Sequence, residues 1–63
     1  MDSIEESIQA EIKVLKETIG KEYKVTETQE DTFVLWSGGS RVIECESLYD
    51  ISNVLGEIMD VTS

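Results

Sequence analysis

Ile4, Ile8, Ile12, Leu15 and Ile19 recur at spacings of four, four, three and four, the repeat of one face of an α-helix. Ser3 and Glu6 stand at capping-box spacing, where each side chain can satisfy the other's exposed backbone donor. Gly20 follows the last stripe residue and can take the left-handed conformation that closes a helix. The pattern therefore predicts a first helix ending at Ile19. From Glu22 to Thr28 the period changes to two, with Tyr23 and Val25 on one face, which predicts a strand. Gln29-Glu30-Asp31 is polar and turn-like. Thr32 to Ser37 is the most apolar run: Phe33 and Leu35 point one way, Val34 and Trp36 the other, as in the middle strand of a small sheet.

Ser37-Gly38-Gly39-Ser40 reads as a hairpin loop, because glycine takes positive φ without steric cost. Arg41 to Glu46 returns as a third strand, Ile43 and Cys45 on one face, Val42, Glu44 and Glu46 on the other. A second helix starts at Ser47, whose hydroxyl can cap it, with Asp50 in the reciprocal position. Leu48, Ile51, Leu55 and Ile58 form its stripe, widened by Val54. Gly56 weakens this helix by roughly 1 kcal/mol relative to alanine and is expected to let it lie close to the sheet. Val61-Thr62-Ser63 is expected to fray. The predicted fold is α+β, in the order α-β-β-β-α: one domain over 1–63, with a three-stranded antiparallel meander. Both helices pack on one face, over Tyr23, Val25, Phe33, Leu35, Ile43 and Cys45.

Size and composition add constraints. A 63-residue chain buries only about 60% of the surface it exposes when unfolded, so its stability is marginal. A lone Cys45 cannot form an internal disulfide, and without histidine a structural zinc site is not expected. Association then becomes the remaining source of stability. The longest apolar stretch, Phe33 to Trp36, is far too short to span a membrane. The acidic start of the chain is unlike a signal peptide, and an unpaired cysteine suits a reducing compartment, so a cytoplasmic location is expected.

Fourteen acids against five bases leave a net charge of −9. Such a field repels nucleic acid and anionic membranes and speeds encounter with basic surfaces. The excess is not uniform. Asp2, Glu5, Glu6 and Glu11 precede the first base, residues 13–43 are balanced, and residues 44–63 carry Glu44, Glu46, Asp50, Glu57 and Asp60 with no base. Acids near helix N-termini complement the helix dipole, which accounts for Asp2, Glu5, Glu6 and Asp50. Glu44, Glu46, Glu57 and Asp60 have no such account, and Asp60 sits at a helix C-terminus, where negative charge is unfavourable. The C-terminal third is therefore the candidate acidic recognition surface. Trp36 is the second candidate. By alternation it shares a face with Val34 and, across the hairpin, with Val42, and no third helix remains to cover them. An exposed patch containing tryptophan is a candidate interface.

Catalytic chemistry has little to build on. Histidine, the commonest general base and metal ligand, is missing. Glu44 and Glu46 flank Cys45 and would raise its pKa, the reverse of what an activated nucleophile needs. The Gly38-Gly39 segment lacks the spacing of a phosphate loop, and no calcium loop is present. No catalytic, cofactor-binding or metal-binding residue is assigned, and with five bases in a chain of net charge −9 direct nucleic-acid binding is not expected.

The order helix, meander, helix, with an acidic surface, resembles small phage proteins that disable host or defence machinery. It is similar in architecture to anti-CRISPR inhibitors of Cas9, which open with a short acidic amphipathic helix leading into a strand, here Ser3 to Val25. The resemblance implies a non-catalytic phage or mobile-element inhibitor acting in the host cytoplasm. Its partner would be a basic nucleic-acid-binding protein: a nuclease, polymerase or defence effector. By DNA mimicry, Glu44, Glu46, Asp50, Glu57 and Asp60 would supply charge, and Trp36 and Val34 apolar anchors. The alternative is a homodimeric structural or adaptor protein, joined through the Trp36 face, whose acidity serves solubility.

Overall fold

The computed structural model describes residues 3–62. Its elements are α1 (Ile4–Ile19), β1 (Tyr23–Glu27), β2 (Phe33–Ser37), β3 (Ser40–Cys45) and α2 (Leu48–Thr62). The three strands form an antiparallel sheet in the order β1-β2-β3, so the expected meander, with β2 in the middle, is what the chain adopts. The ends of α1 follow from its caps. Ser3 Oγ accepts from the Glu6 amide at 3.3 Å, and Gly20, at φ +73°, donates its amide to the Lys16 carbonyl at 3.0 Å. At α2 the Ser47 hydroxyl accepts from the Asp50 amide at 3.3 Å. Asp2 and Ser63, named above for helix-dipole charge and for fraying, lie outside the described residues.

Both helices lie on one face of the sheet. Ile8, Leu15, Leu35, Ile51, Leu55 and Cys45 form the buried centre, and Tyr23, Val25 and Phe33 pack against it from the strands. The helices run side by side in the same direction. Ile8 and Leu48, near the two starts, line one groove, and Ile19 and Ile58, near the two ends, line another. Ser52 Oγ donates to Glu11 Oε1 at 3.1 Å across the seam.

Four expectations are corrected. Gly56 does not bring α2 close to the sheet: it is exposed, and a Cβ there would meet nothing within 4 Å. Residues 61 and 62 are helical rather than irregular, since α2 continues through Thr62. Ile43 faces the helix side, opposite Leu35, but is 38% exposed, whereas Cys45 on the same strand is buried in the core. The β2–β3 ladder is also irregular. Leu35 faces Ile43 but Trp36 faces Arg41, so Val42 is an extra residue in a β-bulge and does not pair with Trp36. Gly38 (φ +56°) and Gly39 (φ +92°) make the expected two-residue hairpin turn.

Candidate functional site

Helical geometry separates the two sides of α2. With Leu48, Ile51, Leu55 and Ile58 turned inward, a rotation of 100° per residue places Tyr49, Asp50, Asn53, Gly56, Glu57 and Asp60 on the opposite side. All six are exposed. The helix contains no base, and none stands in its last turn, whereas α1 ends with Lys16 in that place. Asp50 also has a local role, since its Oδ2 accepts from Ser47 Oγ at 3.3 Å in the cap. Glu46, exposed in the short connection before α2, extends the acidic surface past the start of the helix. The residue that pattern reading missed is Tyr49. It is 68% exposed, in the first turn of α2 and on the carboxylates' side of the helix. Its position opposite the apolar stripe was readable from the helical period.

Glu44 stands apart from this group. It lies on the helix-free side of β3, opposite Val34, within a hydrogen-bonded chain. Thr32 Oγ1 donates to Glu44 Oε2 at 2.6 Å, and the Thr28 and Thr32 hydroxyls are 2.7 Å apart. Because the Thr32 proton is committed to Glu44, Thr28 must be the donor in that pair. Thr28 Oγ1 in turn accepts from the amides of Glu30 and Thr32, at 3.2 and 3.3 Å. Arg41 Nη1 sits 3.8 Å from the other Glu44 oxygen. Glu44 therefore ties the β1–β2 loop to β3, with a base beside it.

The Trp36 face is partly covered by its own side chains. Trp36 Nε1 donates to Thr26 Oγ1 at 2.8 Å, and Thr26 is the residue opposite Val34. The indole is thus drawn diagonally over the sheet beside Val34, which is only 5% exposed and lies outside the helix-side core. The expected exposed patch of Trp36, Val34 and Val42 is corrected accordingly. Val34 is covered, Trp36 is half-buried, and Val42 is exposed but displaced by the bulge. This face offers a second copy less apolar area than strand alternation implied.

Cys45 is buried, and burial first, then the charge of Asp50, pushes its thiol up. The upward direction matches the expectation, but the charge responsible is Asp50 rather than Glu44 or Glu46. Among the described residues no group of three or more Cys, Asp or Glu is placed to hold a metal ion, and no helix is long and apolar enough to cross a membrane. Compared with protein-family models, curated proteins and solved structures, the chain matches none.

Proposed function

We propose that this chain is a non-catalytic binding protein that docks the outer face of α2 on a basic, nucleic-acid-handling protein and so blocks its nucleic-acid path, as a phage or mobile-element inhibitor does. The supporting observation is the one-signed charge of this face: Asp50, Glu57 and Asp60 are exposed on it and the helix carries no base. Gly56, on the same side, lowers helix stability with no neighbour that needs it. A local choice that weakens an element without a structural return is expected at a functional surface.

Charge density decides how the surface works. Asp50 to Asp60 span about 15 Å of helix, a length over which duplex DNA carries roughly nine charges. Three carboxylates, even with Glu46, imitate that only sparsely. Charge therefore steers the approach, and Tyr49 provides the apolar anchor, as aromatic residues do in binding hot spots. Glu44, tied to Thr32 and Arg41, contributes less than its exposure suggests.

The test is capture followed by competition. Immobilised protein is expected to retain basic nucleic-acid-binding proteins at low salt and to release them as salt rises. A retained protein should lose its DNA or RNA when the free chain is added. The double variant Glu57→Gln/Asp60→Asn and the single variant Tyr49→Ala should each weaken retention. Retention that ignores both, or a partner that keeps its nucleic acid, counts against this reading.

A further inference from the structure

The helix-free face of the sheet carries a second arrangement, separate from the acidic side of α2. The register sets Lys24 opposite Trp36 and Trp36 opposite Arg41, so one row across the three strands reads base, indole, base. The chain has five bases, and two of them flank its one tryptophan. The bond to Thr26 fixes the indole across the sheet, with Val34 covered beside it and Trp36 itself half-buried. Next to it runs an open groove of ≈ 560 Å³ lined by Lys24, Thr26, Trp36, Gly38 and Gly39 together with Glu22 and Tyr23. Small-molecule sites occupy roughly 300–1,000 Å³.

The charges in the row are not equivalent. Lys24 is exposed and has no ion-pair partner among the described residues, whereas Arg41 is shared with Glu44 at 3.8 Å. The one carboxylate on the groove, Glu22, lies 3.9 Å from Lys16 Nζ, which offsets its charge. The groove thus combines a pinned aromatic surface with an available ammonium, inside a molecule that is otherwise acidic.

We propose that this groove binds a nucleoside monophosphate, its base stacked on Trp36 and its phosphate on Lys24. Every nucleobase has a π-face that stacks on an aromatic side chain, and lysine meets phosphate as a point charge. The ligand is one nucleotide rather than a strand, because each further phosphate would meet the field of a chain with net charge −9.

The experiment titrates AMP into the full chain, following Trp36 fluorescence and the NMR signals of the indole Nε1–H and the Lys24, Gly38 and Gly39 amides. Saturable quenching is expected, with shifts concentrated at those positions. Adenosine alone and inorganic phosphate alone should each bind several-fold more weakly, and a single-stranded DNA oligonucleotide no more tightly than AMP. Lys24→Gln should lower AMP affinity about two- to fivefold, the range of an exposed ion pair, and Lys24→Glu should lower it further, both with the fold intact. Glu57→Gln/Asp60→Asn should leave AMP binding unchanged, which separates this site from the acidic face. No saturable change at Trp36 with millimolar AMP overturns the proposal. So do AMP binding indifferent to both Lys24 variants, adenosine binding as tight as AMP, and tighter binding of the oligonucleotide.

Discussion

The Thr32 hydroxyl joins a loop to a strand, donating to Glu44 Oε2 at 2.6 Å while accepting from Thr28. Hydrogen bonds to charged groups contribute more than neutral ones, so Thr32→Val is expected to lower stability by about 1–2 kcal/mol in urea unfolding. Cys45 makes a pH-dependent contribution. Its thiol is raised in the folded protein, so folding favours the protonated form. That contribution is whole below the ordinary thiol range and is lost as pH climbs through it toward the raised value. The urea midpoint should fall in the alkaline range, and Cys45→Ala should fall less steeply there than the parent. Single residues were also where sequence reading reached its limit. Alternation correctly sets Val34 opposite Leu35 in facing, yet it cannot say that the Trp36 indole bends across to Thr26 beside it. That depends on a cross-strand partner ten positions away.

Whole elements were more legible, because each start, stripe and stop gave the same answer. Both helices, all three strands and the hairpin turn follow from period and turn chemistry, with boundaries shifted by one residue, or two at the end of α2. The bulge at Val42 was not readable. Arg41-Val42-Ile43 suits a strand in either register, and only the pairing of Trp36 with Arg41 reveals the extra residue. Two glycines show how element context sets the sign of one substitution. Gly20 closes α1 at φ +73°, so Gly20→Ala is expected to destabilise by about 1 kcal/mol. Gly56 lies inside α2 with open space around it, so Gly56→Ala is expected to stabilise by about 1 kcal/mol. In a domain of this size that corresponds to a rise of roughly 4–8 °C in Tm.

At the scale of the molecule, the described fold is a slab of about 33 × 31 × 15 Å with few fully buried side chains. A net charge of −9 on so small a body repels itself, so added neutral salt should raise Tm by screening. The same salt should weaken docking, because attraction between the acidic face and a basic partner is screened over about 8–10 Å. Stability and binding are therefore expected to move in opposite directions as salt rises. A surface whose acidity served only solubility would not show that opposition. The most direct measurement is the affinity of the chain for a captured nucleic-acid-binding partner across a salt series, for the parent and for Glu57→Gln/Asp60→Asn. Docking through α2 predicts that affinity falls steadily as salt rises, and that the variant binds more weakly with a shallower dependence. Equal affinity at low and high salt, or identical curves for the two proteins, would contradict it.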